Sequence, residues 1–481
     1  MKLRAEPGLT FDDVLLAPKR SSIRSREDVG TSSLLAAGIR LSIPILSANM
    51  DTVTETAMAV AMAQAGGIGI LHRFAPIDRQ AEMVRRVKRM ESFVVEHPIT
   101  VGPEVGFQEA RRLMADSFIG GLVVTDEEGR LLGMLTARDI LLASETSDLR
   151  VKDLMTPREK LVTAPVEEAL DSARLRLHTH RIEKLPLVDS QDRVKGLITA
   201  QDIIKLQEHP QATKDNKGRL RVGVAVGVRQ DDLERAEACI QQGADVVVVD
   251  VAHGHAEHVL EMVRQLKERF PGTPVIAGNV ATAQGVQDLA VAGADAVKVG
   301  VGSGSICITR IVTGFGVPQL TAVADCAEAG RELGIPIISD GGTRNSGDMV
   351  KALAAGASTV MIGSLLAGTD ESPGVSVVRE GRRYKVVRGM ASLSANVSRK
   401  EIDQAEIDLN EFERVVPEGV EALVPHRGSV ADTLHQLVGG LRSALSYAGA
   451  AGIEELWEKA EFLRITPAGE RESGAHDVKL L

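Results

Sequence analysis

Short apolar runs, most of them ending in a polar residue and separated by helix-like stretches, recur along this chain and constrain its fold more than any other feature. Six of them follow residue 220: Val222-Gly223-Val224-Ala225-Val226, Val246-Val247-Val248-Val249-Asp250, Pro274-Val275-Ile276-Ala277-Gly278-Asn279, Ala296-Val297-Lys298-Val299-Gly300, Ile335-Pro336-Ile337-Ile338-Ser339-Asp340 and Thr359-Val360-Met361-Ile362-Gly363-Ser364. Two more come early, Ile43 to Asp51 and Ile68-Gly69-Ile70-Leu71-His72. Continuous apolar strands belong in a parallel sheet with helices on its outside. Three runs follow a helix-ending glycine, in Gly243-Ala244-Asp245, Gly293-Ala294-Asp295 and Gly356-Ala357-Ser358. Eight βα units predict an α/β fold, a (β/α)8 TIM barrel. Function in such a barrel sits at the strand C-terminal ends, here Asn49, Asp51, Asp250, Asn279, the loop around Cys307, Asp340 and Ser364.

The rhythm breaks between about residues 91 and 212. Gly133-Met134-Leu135-Thr136-Ala137-Arg138-Asp139-Ile140 recurs there as Gly196-Leu197-Ile198-Thr199-Ala200-Gln201-Asp202-Ile203. Upstream strands recur too, Gly121-Leu122-Val123-Val124 and Leu185-Pro186-Leu187-Val188. A duplication of roughly 60 residues marks an inserted module. The expected organisation is a barrel from 1–90 and 213–481 and a tandem insert from 91–212, with halves at about 95–153 and 154–212. Residues 370–430 exceed what the last βα unit needs, and an excursion at the active end of a barrel reads as a lid, placed at about 390–425.

Aromatic residues make up only 2% of the 481, so the core must come from Val, Ile, Leu and Ala. The formal charge of −10 argues against a nucleic-acid binder. No run of about 18 apolar residues exists, so no membrane span is expected. Three cysteines without metal-ligand spacing predict neither disulfides nor a metal cluster, and point to the cytoplasm. Cys239 and Cys326 fall in helical patterns and read as packing residues. His253-Gly254-His255 lacks a third ligand nearby and reads as a strand-end loop.

Cys307 is different. It lies in Val299-Gly300-Val301-Gly302-Ser303-Gly304-Ser305-Ile306-Cys307-Ile308-Thr309-Arg310, where a strand breaks into a glycine and serine loop. Backbone dipoles and partial exposure are what a nucleophilic thiolate needs. The pattern alone also fits a loop carrying an incidental thiol.

The duplicated segment resembles a pair of CBS modules. That likeness implies regulatory purine nucleotides, contacted by Thr136 and Asp139 in one half and Thr199 and Asp202 in the other. Each Asp also reads simply as an N-terminal helix residue.

The cysteine loop, Ser339-Asp340-Gly341-Gly342, Met361 to Gly374, Arg388-Gly389-Met390 and the opening Leu9 to Leu16 together resemble the IMP dehydrogenase/GMP reductase family almost end to end. The resemblance implies a nicotinamide-dependent oxidoreductase, using NADP(H) or NAD(H), in which Cys307 bonds to C2 of a purine mononucleotide, GMP or IMP. It implies that Asp340 takes the ribose hydroxyls and that Ser305, Gly342, Gly363 and Ser364 hold the phosphate. Gly341, Gly389, Met390 and Glu418 complete the substrate set, with Met390 and Glu418 facing the base. Asp250, Asn279, Gly300, Val301 and Gly302 lie on the cofactor side. Gly302, Gly304 and Cys307 resemble a K+ loop, with Glu472 and Ser473 supplied by a neighbouring subunit. The family likeness implies a homotetramer, with octamers formed through the CBS pair.

Two positions depart from the family pattern. Val387 replaces the Tyr of a Tyr-Arg-Gly-Met motif, and Ala395 to Ala405 lacks the Arg-Tyr pair of the dehydrogenase flap. Without that pair the expected reaction is the reductase one, GMP and NADPH giving IMP and ammonia. Its proton handling is implied to rest on Thr309 and Glu371. IMP dehydrogenase is the alternative, with Arg399 as a displaced base, and a silent nucleotide sensor is the third reading.

Overall fold

The computed structural model describes residues 3–91, 94–96, 98–117, 119–141, 149–166, 168, 170–201, 203–204, 209–395, 397 and 416–474. Arg399 and Asp202 lie outside the described residues, as does most of the Ala395 to Ala405 stretch. The chain divides into two compact units. One is 1–90 with 211–213 and 220–481; the other is 91–210 with 214–219.

The larger unit is a closed barrel of eight parallel strands, as the apolar runs predict. In chain order they are β1 (Ile45–Ser47), β2 (Ile68–Leu71), β3 (Val222–Val226), β4 (Val246–Asp250), β5 (Val275–Val280), β6 (Ala296–Val299), β7 (Ile337–Asp340) and β8 (Thr359–Ile362). Each pairs with its successor, and β8 closes on β1 with Val360 opposite Ile45. Alternate residues face inward and outward. Leu46, Ile68, Ile70, Ala225, Val246, Val248, Ile276, Ala296, Ile338 and Met361 fill the interior. Val247, Val249, Val275, Val297 and Val299 pack outward against the helices. With both faces covered, most positions on either side of a strand are apolar, and so the runs are nearly continuous.

The Gly-Ala-Asp motifs have a second role beyond ending helices. Asp245 accepts a 2.8 Å hydrogen bond from Val222 N and a 2.7 Å ion pair from the buried Lys88. Asp295 does the same with Val275 N and Lys267, each at 2.8 Å. A carboxylate thus satisfies the first N–H of the preceding strand and ties it to a helix. At the opposite end of the strands from the mouth, Leu35, Ile39 and Leu41 of an early hairpin pack onto the interior cluster.

Most of the expected lid at about 390–425 lies outside the described residues, but the chain on either side of it is described. Arg382–Arg388 pairs antiparallel with Ser376–Arg379 on one side and with Glu421–Pro425 on the other. Both ends of the excursion are therefore anchored in a three-stranded sheet. Lys385 pins that sheet down. Its buried ammonium donates to the carbonyls of Thr369 at 2.7 Å and Ser372 at 2.6 Å, and to Ser372 Oγ at 2.9 Å.

In the smaller unit, the sequence duplication is a duplication of topology. Thr100–Val101 runs parallel to Gly121–Thr125, which runs antiparallel to Leu131–Thr136. Ala164–Pro165, Lys184–Val188 and Val194–Thr199 repeat that arrangement.

Candidate active site

A cavity of about 480 Å3 opens at the C-terminal ends of the barrel strands. Cys307 lies on its wall, half-buried. The other two thiols are sealed in the helix layer, where burial pushes both Cys239 and Cys326 up to about 12 and leaves them inert.

Two loops distant in sequence cross at the cysteine. Ile308 N donates to Glu418 O at 2.8 Å, and Val420 N to Ile306 O at 3.1 Å. Gly389 N donates to Val420 O at 3.0 Å. The crossing demands glycine: a Cβ on Gly419 would sit 3.2 Å from Gly389 Cα, and one on Gly389 would sit 3.3 Å from Ile306 O. The crossing delivers the Glu418 carboxylate to the nucleophile. Thr309 Oγ1 donates to Glu418 Oε2 at 2.8 Å and lies 3.2 Å from Cys307 Sγ. The three groups form one hydrogen-bonded line from carboxylate to sulfur.

Glu371 is not part of that line. It accepts from Ser429 Oγ at 3.2 Å and Val430 N at 2.8 Å, capping the helix Val430–Ala448. A carboxylate there satisfies an orphan N–H and meets the positive end of the helix dipole. The carboxylate bonded to Thr309 is that of Glu418 and not that of Glu371. Separation in sequence hid this: Glu418 sits 109 positions from Thr309.

Many of the residues singled out in the sequence line the cavity, Asn49 among them. Asp250, Asn279, Gly300, Val301, Gly302 and Gly304 share its wall with Cys307, Thr309, Asp340, Gly389, Met390 and Glu418. Ser305, Gly341, Gly342, Gly363 and Ser364 lie off that wall, where Ser305 Oγ and Ser364 Oγ approach to 3.5 Å. Glu472 and Ser473 end an exposed helix, Pro467–Glu472, and do not line the cavity of their own chain. His255 Nε2 bonds Asp288 at 2.6 Å, and no metal-holding cluster exists among the described residues. In the smaller unit Asp139 accepts from both the N–H and the hydroxyl of Thr136, at 2.8 and 2.6 Å. Thr199 ends the equivalent strand.

Two charged residues on the wall went unassigned from sequence. Arg73 follows β2 and packs on the Phe74 ring at 5.5 Å. Lys298, fully buried on β6, bonds Asp250 Oδ1 at 2.7 Å and Asp340 Oδ2 at 2.6 Å. Asn49 Nδ2 also donates to Asp250, at 2.9 Å. Burial alone would raise the Asp250 pKa, but the Lys298 charge and hydrogen bond, with Arg73 and Asn49, hold it below the usual carboxylate range. Burial would likewise lower Lys298, yet the two carboxylates overcome it and raise its pKa. A lone Lys inside an otherwise apolar strand was the available signal.

The fold and this mouth define an α/β barrel whose polar mouth carries a half-buried cysteine. The profile of the IMP dehydrogenase / GMP reductase domain matches residues 8–476. Inosine-5′-monophosphate dehydrogenase of Nitrosopumilus maritimus is 54% identical, covering 98% of this chain and 99% of its own length. GMP reductase of Leishmania major is 49% identical, covering 98% of both. A crystal structure of a cysteine-to-alanine GMP reductase from Trypanosoma brucei in complex with guanosine 5′-monophosphate superposes with TM-score 0.86 at 45% identity, covering 98% of both chains. A second, in complex with guanosine 5′-triphosphate, has TM-score 0.75 at 41% identity, covering 96% of this chain and 98% of its own. The chain belongs to the IMP dehydrogenase/GMP reductase family, whose members are oxidoreductases that use NAD(P)(H). Among the described residues, no helix is long and apolar enough to cross a membrane.

Proposed function

We propose that this enzyme is a GMP reductase, converting GMP and NADPH to IMP, ammonia and NADP. The choice of direction is carried by the flap sequence Ala395 to Ala405, which has no Arg-Tyr pair to activate water. A dehydrogenase must hydrolyse its covalent adduct, and losing a general base costs about 10²–10⁴-fold. A reductase needs no such water.

In this reading Cys307 Sγ bonds to C2 of GMP and the C2–N bond to the amino group breaks. Ammonia leaves with a proton passed from Glu418 through Thr309, whose 2.8 Å hydrogen bond supports this route. The nicotinamide, when bound, supplies a hydride to C2. The C2–S bond then breaks and its electron pair returns to sulfur. Asp340 receives the ribose hydroxyls, and Ser305 and Ser364 the phosphate. Asp250, Asn279 and the Gly300 to Gly302 loop border the nicotinamide, and a cavity of about 480 Å3 fits a ligand of nucleotide size.

A monovalent cation, K+, is proposed for the carbonyls of Gly302, Gly304 and Cys307, completed by Glu472 and Ser473 of a neighbouring copy in a homotetramer. The smaller unit is read as the CBS pair, taking purine nucleotides at Thr136 and Asp139 and at the Thr199 half.

IMP dehydrogenase is the second reading, favoured by the name of the 54% identical relative. Incubation with GMP plus NADPH, and separately with IMP plus NAD, decides between them. NADPH oxidation with ammonia release is expected; NAD reduction with XMP formation would reverse the assignment.

A further inference from the structure

The interior of the barrel is apolar until its last layer. On β4, β6 and β7 the inward positions run Val246, Val248 and Asp250; Ala296 and Lys298; Ile338 and Asp340. Three strands thus place a cation between two carboxylates at the floor of the cavity. Lys298 is 2% exposed and each Asp is 22% exposed, so water reaches the acids but not the ammonium. The groups bonded to the ammonium come from β4, β5 and β7. They are Asp250 at 2.7 Å, Asp340 at 2.6 Å and the side-chain oxygen of Asn279. Asn279 also donates to Asp340 Oδ2 at 3.0 Å and to Gly300 O at 2.8 Å. Arg73 adds a second positive charge on the Asp250 side. The neighbouring strand is cut away to admit this side chain: a Cβ on Gly278 would sit 2.7 Å from Lys298 Cβ and 2.5 Å from Lys298 O.

We propose that Lys298 is a positioning residue, whose buried ammonium clamps the ribose carboxylate Asp340 to the cofactor-side carboxylate Asp250 and keeps both aimed into the cavity. Without it, two acids would face one another in a poorly hydrated layer with no cation between them, and their like charges would push the side chains out of place. Occupancy of the ribose site and geometry of the nicotinamide site would then depend on one buried strand residue that acts through the two carboxylates. The proposal rests on the purine-nucleotide reading above, but not on the direction of the redox step.

The test is calorimetric binding of GMP and of IMP to the full chain, together with KM for NADPH. Lys298→Met keeps length and apolar bulk and removes the charge. It is expected to weaken the preferred nucleotide about ten-fold or more, a loss of roughly one log unit in Kd, and to raise KM for NADPH. Lys298→Arg restores the charge and should recover part of both. The decisive arm is Lys298→Met combined with Asp250→Asn. With one acid neutralised the repulsion is gone, so nucleotide binding should return towards wild type even though NADPH use does not. A side chain that merely fills space predicts the reverse: normal binding by Lys298→Met, and added damage in the double variant. Either result would overturn the clamp. If Lys298→Met does not fold, judged by its thermal unfolding, the Arg and double variants still separate the two outcomes. Failure of the wild-type chain to bind either nucleotide would sink the nucleotide site and the clamp with it.

Discussion

The floor and the mouth of this barrel are built on the same strands and obey opposite rules. Val246 and Val248 continue into Asp250, and Ile338 into Asp340, with no change of strand or direction. Below that step, inward side chains are interchangeable hydrocarbon, and burial of apolar area is the main driving force. Above it, each side chain has a named polar partner, and losing one partner strands the other. One scaffold thus separates stability from chemistry by depth along the strand.

Substitutions at the two depths should break apart cleanly. The largest effect is expected at the nucleophile: Cys307→Ala should lower turnover by about 10⁴–10⁶-fold, as for other covalent nucleophiles, with the thermal midpoint unchanged. Steady-state rates alongside thermal unfolding measure both. Next, Glu418→Gln should cost about 10²–10⁴-fold in kcat through loss of proton transfer. Near-normal turnover in that variant would dismiss the line from Glu418 through Thr309 to Cys307. Below the divide, Ile338→Ala should lose about 2–5 kcal/mol of stability, read in denaturant melts, with kcat for the surviving folded enzyme near wild type. Glu371→Gln should act on stability alone, by roughly 0.5–2 kcal/mol for a lost helix cap. A catalytic collapse there would restore the role that geometry has moved to Glu418.

The smallest effect near neutrality concerns pH. Asp250 is held below its ordinary 3.8, so its contribution is fully present above that value and is lost as pH falls through the lower folded value. Lys298 is raised above 10.5, so its contribution is present below that value and is lost only when pH climbs through the still higher folded one. From this network the thermal midpoint should be flat from about pH 5 to 8 and fall below about pH 4. A step in wild-type stability near pH 6–7 that Lys298→Met abolishes would contradict that window.

The barrel itself was legible because its signals are local. Run length, polar run ends and Gly-Ala-Asp boundaries all lie within a few residues of one another, and eight such units have one common closed arrangement. The duplication in the smaller unit was legible for the same reason. Other features were not. The strands Arg382–Arg388 and Glu421–Pro425 pair across a long intervening segment that reads as a single charged excursion. Glu371 stands close in sequence to Gly363 and Ser364 at the mouth, yet its carboxylate is turned to a helix end. Glu418 and Thr309 belong to separate loops that only a backbone crossing at Gly389 and Gly419 brings together.

By itself, then, the sequence determined the strands, their order, and which strand ends carry polar groups, because backbone periodicity and capping are properties of neighbouring residues. Only the tertiary structure decided which of those groups become partners. Closing the sheet stacks Asp250, Lys298 and Asp340 in one layer, and crossing two loops sets Glu418 on Thr309. Such pairings depend on distances through space that no spacing along the chain records.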